Sequence, residues 1–386
     1  MNDVSLVRAG PELELEVDGT LPTTFMNLIG KDHVEIRTKS AITVGAPSQL
    51  EIALVLDLSD SMNAHGRLDA LKVAAREMVD TLVVKDSDKV KVSVVPFGQN
   101  INVGMVNRNA SWLEVEADYD IDREVCPKDQ NWLNRHCPLK PTKCNFDGIK
   151  AECQQRVCDP GYDQRDAPKD LNKCTEFKLE YRWHGCVLSR APGSVGYLKD
   201  SSYQTNKIKG IASQNANICA APIVPLSSDP DDLKTKIDVL RARGGTHIPS
   251  GMLWGLRSLS SIAPFDEGEE KTVLAEKGGF KAVVLMSDGA NTLATWYDGA
   301  HETVADSSQE RRDTDDNTLK VCNDIKSEGV EVYTVAFNVT ETATQVLLLK
   351  CATSLEHAFK AEDAGDLKDA FKAITEHVMR DIAVAS

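Results

Sequence analysis

Runs of apolar residues along the chain predict buried β-strands that alternate with amphipathic helices. Residues 52–56 and 282–286 are continuously apolar, which is typical of strands buried on both faces of a parallel sheet. Further strands are predicted at 90–95 and 330–337. Apolar side chains recur at a helical spacing in the intervening segments, and the predicted helices are 67–84, 233–240, 250–260, 319–325 and 367–378. This alternation indicates an α/β fold with a doubly wound, mostly parallel sheet.

Two segments depart from the pattern and define the predicted organisation. Residues 1–50 contain short alternating runs and are expected to form a β-rich flanking segment. Residues 105–214 are polar and cysteine-rich and are expected to be an insertion, which divides the main domain into 51–104 and 215–386. The helix at 233–240 is predicted to stop at Gly244 and Gly245, because a glycine pair ends a helix readily.

The chain contains ten cysteines, eight of them between positions 126 and 219. The even number favours disulfides, although the sequence leaves their pairing open. Zinc is the alternative, since His136 adjoins Cys137 and His184 lies close to Cys186, but there is no Cys-x-x-Cys pair. Cys322 and Cys351 stand apart in a segment with no other cysteine, so a disulfide is expected between them, with two buried thiols as the alternative.

Composition and charge narrow the classes of function. Hydrophobic residues make up 41% and charged residues 27%, which is ordinary for a globular protein. A formal net charge of −15 repels phosphate backbones, so nucleic acid is not expected as a partner. No apolar stretch approaches the roughly 18–20 residues of a membrane span. Because disulfides imply export, we expect an anchor or leader that is missing from this chain.

Oxygen-bearing side chains follow three of the predicted elements. Asp57, Ser59 and Ser61 come directly after the first buried strand, Thr246 follows the glycine pair, and Asp288 follows the strand at 282–286. Ligands on such sheets bind at the carboxyl ends of the strands, so these loops are expected to converge. Carboxylate and hydroxyl oxygens suit Mg²⁺ or Mn²⁺. The alternative is that the residues after the first strand only cap the next helix.

These residues match the metal-ion-dependent adhesion site of the von Willebrand factor type A (VWA) domain, which the sequence resembles. That site consists of Asp-x-Ser-x-Ser, a distant Thr and a distant Asp. The resemblance implies a Rossmann-like VWA fold and a Mg²⁺ ion (or Mn²⁺ or Ca²⁺). It further implies that Ser59 and Ser61 bind the ion directly, that Thr246 does so directly or through water, and that Asp57 and Asp288 hold coordinated waters. One departure is Asp60, where many members of the family have glycine.

A narrower likeness covers most of the chain from about residue 51. Residues 95–97 (Val-Pro-Phe), residues 183–187 (Trp-His-Gly-Cys-Val) with Arg190, and the region of Cys322 and Cys351 resemble TadG-type proteins of the bacterial tight-adherence (Flp pilus) system. This resemblance implies a membrane-anchored protein of the periplasm or cell surface. The expected function is therefore adhesion, in which the metal captures an acidic residue of a pilus or envelope protein.

Enzymatic alternatives find less support in the sequence. It contains no phosphate-binding glycine loop and no Gly-x-Ser-x-Gly nucleophile turn, so a non-enzyme is expected. A metal-dependent hydrolase would need a general base, for which His65 and His247 are the candidates. A cytoplasmic scaffold with reduced cysteines is a further alternative. Acidic residues of the insertion, Asp118, Asp120 and Asp122, could also occupy the metal site internally.

Overall fold

The N-terminal part of the chain forms a separate antiparallel sheet in the order β1-β2-β3. Its strands are β1 (Asp3–Ala9), β2 (Glu12–Pro22) and β3 (His33–Thr43). They contain the alternating runs of residues 1–50, so the predicted N-terminal β segment is confirmed. In this computed structural model the described residues are 3–9, 12–22, 33–43, 49–85, 87–146, 149–199, 203, 205–215 and 219–384.

The larger part of the chain is built on a six-stranded sheet in the order β13-β5-β4-β14-β17-β18. All neighbouring strands are parallel except β13, which pairs with β5 in the antiparallel direction. The strands are β4 (Leu50–Asp57), β5 (Val90–Phe97), β13 (Val224–Ser227), β14 (Phe280–Ser287), β17 (Glu331–Phe337) and β18 (Ala358–Ala361). The order agrees with a doubly wound, mostly parallel α/β sheet, as predicted.

Helices cover both faces of this sheet, and each face has its own hydrophobic core. The helices are α1 (Arg67–Leu82), α3 (Pro230–Asp238), α4 (Ile248–Arg257), α5 (Lys271–Glu276), α6 (Gln309–Ser327), α7 (Thr342–Cys351) and α8 (Ala364–Val384). Ile52 and Leu54 pack with α1, α3 and α8 on one face, whereas Ala53 and Val55 pack with α4, α6 and α7 on the other. This alternation explains why the strand is continuously apolar.

The predicted end of α3 was wrong. The helix stops at Asp238, well before the glycine pair, and the chain continues as an irregular segment to α4. The backbone of this segment is hydrogen-bonded elsewhere: the N–H of Arg243 donates to the carbonyl of Leu58 at 2.6 Å, and the carbonyl of Gly244 accepts from Asp60 at 2.8 Å. These tertiary hydrogen bonds draw the segment toward the edge of the sheet and exclude a longer helix.

The chain forms two compact units, and the smaller one comprises residues 117–182 with 213–215. It is narrower than the predicted insertion, 105–214, whose remaining residues belong to the larger unit. It contains β8 (Tyr119–Val125), α2 (Gln130–His136), β9 (Leu139–Phe146), β10 (Ile149–Arg156) and the first half of β11 (Thr175–Val187). Its apolar cluster is small, and two disulfides, Cys126–Cys174 and Cys137–Cys158, supplement it.

The larger unit contains a minor sheet and two further disulfides. The end of β11 joins β6 (Ile101–Asn102), β12 (Ile208–Ser213) and β7 (Leu113–Glu114) in the order β6-β11-β12-β7. The disulfides are Cys186–Cys219 and Cys322–Cys351. No cysteine in the described part of the chain is free, so neither Cys137 nor Cys186 is available to zinc. None of the described helices has the length and apolar composition of a membrane span.

Candidate metal site

The loop after β4 brings two hydroxyls next to each other. Ser59 precedes a short 3-10 helix, residues 60–66, but its side chain does not cap that helix. Its Oγ instead lies 3.0 Å from Oγ of Ser61, while its backbone N–H donates to Oδ1 of Asp57 at 2.8 Å. The Ser59 hydroxyl therefore does not cap the helix, which was the alternative explanation for this loop.

The loop after β14 joins this cluster because β4 and β14 are neighbours in the sheet. Leu56 pairs with Met286, so Asp57 and Ser287 leave the sheet at the same level. The Ser287 hydroxyl donates to Oδ2 of Asp57 at 2.6 Å, and Ser61 donates to Oδ1 of Asp288 at 2.7 Å. The side chains of both aspartates are shielded from solvent, with 0% exposure for each.

The third segment, which contains Thr246, lies at the same edge. Thr246 is 3% exposed, and its N–H donates to the hydroxyl of Thr292 at 2.8 Å. A Cβ on Gly245 would lie 2.8 Å from both Thr292 and Leu293, so this close approach requires glycine. Together with the hydrogen bonds to Leu58 and Asp60, these contacts fix the segment between the loops that follow β4 and β14. All three predicted loops therefore meet at one edge of the sheet.

The two buried carboxylates give the site excess negative charge. Burial, and to a lesser extent the nearby Asp288, raise the pKa of Asp57 to about 7, although hydrogen bonds from Ser287 and Ser59 act in the opposite direction. Among the described residues, Arg67 offsets part of this negative charge. It is the first residue of α1, and its Nη1 lies 2.7 Å from Oδ2 of Asp288. Two carboxylates and two hydroxyls in contact form the hard-oxygen donor set that suits a divalent cation such as Mg²⁺.

The remaining residues near the site have more limited roles. Asp60 is exposed, so its charge faces solvent rather than the cluster. His65 is also exposed and has a positive φ of 54°. His247 is buried, and its Nδ1 and Nε2 lie 2.7 Å from the Ser250 hydroxyl and 3.1 Å from the Thr295 hydroxyl. Because both ring nitrogens are engaged, His247 is poorly placed to take a proton from a water molecule.

Two residues beside the site, Arg67 and His301, were not predicted from the sequence. The His301 ring stacks on the His247 ring with centroids 3.9 Å apart. Burial lowers the pKa of His301 to about 4, and it lowers the pKa of His247 well below its ordinary value with a further contribution from His301. Both imidazoles are therefore neutral near pH 7. Asp120, which was considered as an internal ligand, lies 2.7 Å from Arg182 within the smaller unit.

Comparison with known proteins gives distant structural similarities. No protein-family model and no curated protein matches the sequence. The pilus adhesin SpaC from Lactobacillus rhamnosus GG has a TM-score of 0.44 at 12% identity, with 99% of this chain and 34% of SpaC covered. The vWF domain of the type V pili tip protein Mfa5 from Porphyromonas gingivalis has a TM-score of 0.44 at 11% identity, with 86% of this chain and 96% of that domain covered.

A third similar structure is proximal thread matrix protein 1 from the mussel byssus, whose adhesion motif is occupied by zinc. Its TM-score is 0.36 at 14% identity, with 87% of this chain and 46% of that protein covered. The chain spans about a third of the length of SpaC. The functional assignment therefore depends on the chemistry of the site itself.

Proposed function

We propose that the chain is a metal-dependent protein-binding module of the VWA type. A divalent ion, Mg²⁺ or Mn²⁺, is held by Asp57, Ser59, Ser61, Thr246 and Asp288 and captures an acidic side chain of a partner. The observation that carries the proposal is the direct contact of Asp57, Ser59, Ser61 and Asp288 from loops that are more than 220 positions apart in the sequence.

Each group has a distinct part in this proposal. Ser59 and Ser61 contact the ion through their hydroxyls, and Thr246 contributes directly or through water. Asp57 and Asp288 orient coordinated waters and supply negative charge. When bound, the ion supplies a positive charge that accepts an anionic oxygen of the partner. Asp60 is exposed, so water and salt screen the repulsion between its charge and such a ligand.

The cysteines support a location outside the cytoplasm. Four disulfides are present in the described residues, and disulfides persist in oxidising compartments. We therefore place the protein in the periplasm or at the cell surface, in pilus assembly or surface attachment, as the TadG resemblance suggests. A count of free thiols in freshly isolated, denatured protein tests this placement. Ten reactive thiols would favour the cytoplasmic scaffold instead.

Binding is favoured over hydrolysis by the state of the two histidines. His247 is buried with both ring nitrogens engaged, and His65 is exposed. A panel of phosphatase and esterase substrates with added Mg²⁺ or Mn²⁺ should therefore show no turnover. Metal-dependent turnover that is lost in His247→Ala would favour the hydrolase.

Calorimetric titration tests the metal site directly. Mg²⁺ and Mn²⁺ should bind the wild-type chain, and Ser59→Ala and Ser61→Ala should each weaken binding by at least about tenfold, because each removes one hydroxyl ligand. Ser327→Ala is the matched control, since it removes an exposed hydroxyl at the far end of α6. Equal binding by all four proteins would exclude the site.

The adhesive part of the proposal needs a partner. Wild-type chain that is immobilised in Mg²⁺ should retain a protein from envelope extracts, release it in EDTA, and fail to retain it after Ser59→Ala. Retention that is insensitive to EDTA would contradict capture through the metal.

A further inference from the structure

A cavity in the larger unit is lined in part by residues 294–296, which follow the loop that contains Asp288. It has a volume of about 330 Å³ and opens to solvent. Its walls combine aromatic and acidic side chains, which distinguishes it from an ordinary apolar groove. Its lining includes Thr295, Trp296, Glu310, Asp313, Asp316 and Lys320. We call it the aromatic–acidic cleft.

A tight hairpin holds the aromatic wall in place. Strands β15 (Leu293–Thr295) and β16 (His301–Thr303) pair in the antiparallel direction, and the Trp296 N–H donates to the Ala300 carbonyl at 2.7 Å. Gly299 has a φ of 92°, and a Cβ there would lie 2.1 Å from the carbonyl of Ser189, so only glycine fits the turn. Trp296 nevertheless remains 40% exposed. An indole on a fixed turn presents its face with little loss of conformational entropy on binding.

The other wall carries three carboxylates, of which Asp313 accepts a hydrogen bond from Gln309 at 2.8 Å. Glu310, Asp313 and Asp316 lie on the first two turns of α6 and are exposed. Among the described residues, none of the three forms an ion pair within 4.0 Å. Lys320 is the one cation of the lining, and its Nζ donates to Asn317 at 3.2 Å. The helix dipole favours an acidic residue in the first turn, such as Glu310, but it does not explain Asp313 and Asp316, which lie beyond that turn.

We propose that the aromatic–acidic cleft binds a positively charged side chain of a protein partner, with arginine preferred over lysine. The guanidinium stacks on the face of Trp296, where the ring quadrupole attracts a cation. The carboxylates of Glu310, Asp313 and Asp316 accept its N–H groups in charge-assisted hydrogen bonds. The planar shape of arginine suits both contacts at once.

A short stretch of chain and its hydrogen bonds connect the cleft to the metal site. The N–H groups of Thr292 and Leu293 both donate to the carbonyl of Thr246, at 3.0 and 3.3 Å. Thr295, three positions after Thr292, lines the cleft and lies 3.1 Å from Nε2 of His247. If the proposed function holds, a partner with an acidic residue near an arginine would engage both sites.

The test uses short peptides and the intact chain in EDTA, so that no divalent ion takes part in binding. The probe is the capped peptide Gly-Arg-Gly-Arg-Gly, and the control peptide has citrulline, the neutral analogue of arginine, at both positions. Binding is followed by calorimetry at low ionic strength and by the fluorescence of Trp296, which is the one exposed tryptophan among the described residues. The arginine peptide should bind and change the emission, and the citrulline peptide should not.

Three variants locate the binding. The double variant Glu310→Gln with Asp316→Asn should bind the arginine peptide roughly five- to tenfold more weakly than wild type. Trp296→Leu should weaken it comparably and remove the change in emission. The matched control, Glu356→Gln with Asp369→Asn, removes the same charge at exposed positions outside the cleft and should stay within about twofold of wild type. The melting temperature of each variant confirms that it is folded.

The outcomes distinguish this proposal from the proposed function. If the control variant loses as much affinity for the arginine peptide as the cleft variant, the peptide is attracted by net charge alone and the proposal is overturned. Binding of the citrulline peptide would also overturn it. Binding of the arginine peptide that survives Ser59→Ala supports the cleft even if the metal site fails. Conversely, a chain that binds Mg²⁺ but not the peptide retains the proposed function and excludes the cleft.

Discussion

The substitution Asp57→Asn in the absence of metal should stabilise the protein at neutral and alkaline pH. Asp57 is fully buried, and its carboxylate accepts hydrogen bonds from the Ser59 N–H and the Ser287 hydroxyl. An asparagine has the same shape and can keep both contacts. Its Oδ1 accepts from Ser59, and its Nδ2 donates to Ser287, whose own proton then goes to the Gly289 carbonyl at 3.0 Å. The change therefore removes the buried charge with little other cost.

The magnitude follows from the raised pKa of Asp57. Its pKa is about 7 in the folded chain, against an ordinary value of 3.8. Between these values the folded chain holds a proton that the unfolded chain has released. The free energy of unfolding therefore falls as pH rises through this window and stays low above it. Each unit of pKa corresponds to about 1.4 kcal/mol, so the loss approaches about 4 kcal/mol at pH 8.

The assay is urea unfolding in EDTA, followed by circular dichroism at pH 4 and pH 8 with disulfides intact. The two proteins should have similar stability at pH 4, whereas Asp57→Asn should be the more stable at pH 8 by up to about 4 kcal/mol. Asp231→Asn is the control, because Lys85 lowers the pKa of that exposed carboxyl and its removal should bring no gain at pH 8. Lower stability of Asp57→Asn at pH 8, or the same advantage at both pH values, would show that the buried charge of Asp57 does not destabilise the fold.

Other substitutions test the surroundings of the site and the core. Arg67→Gln should tighten Mg²⁺ binding by about tenfold in calorimetry, because it removes a cation that is held by a carboxylate of the site; weaker binding would show that Arg67 supports the ion. Replacing both Cys322 and Cys351 by serine opens a loop with a separation of 29 residues and should lower the free energy of unfolding by about 3–4 kcal/mol; an unchanged urea midpoint would contradict this. Gly251→Ala would place a Cβ 2.6 Å from the Phe97 ring and should lower stability by about 1–3 kcal/mol, measured by thermal unfolding; an unchanged melting temperature would mean that the ring moves freely.

The central strands could be predicted because burial on both faces leaves a direct mark on the sequence. The run at 52–56 lies within β4, and the run at 282–286 lies within β14. The two outer strands carry no such mark. β13 (Val224–Ser227) contains a proline, and β18 (Ala358–Ala361) is largely half-buried or exposed. Neither has a continuous apolar run, and both were missed.

The end of α3 shows a different limit. Local sequence favoured the glycine pair as the stop, but the helix ends at Asp238 because the backbone of residues 243 and 244 bonds to the loop after β4. These hydrogen bonds link positions that are about 185 apart in the sequence. Local propensity contains no information about them, so the helix was placed too long.

The predicted site residues share a simple signal, since each polar group follows the carboxyl end of a strand or a glycine pair. Arg67 lacks that signal: it begins an amphipathic helix, where an arginine is ordinarily a surface residue. His301 lies in β16, which is only three residues long and has no readable periodicity. Its contact with His247 depends on a hairpin turn that the sequence did not predict.

The buried charge at this edge of the sheet also has a physical explanation. Burying two neighbouring carboxylates opposes folding, so Asp57 and Asp288 would not be expected in an ordinary hydrophobic core. The fold keeps both, surrounds them with hydroxyls, and offsets part of their charge with Arg67 from the start of α1. If this site holds the divalent cation that we propose, the cation should stabilise the fold, and stability and binding are then linked through the same carboxylates. The protein therefore has its least favourable electrostatics where we propose that it binds its partner.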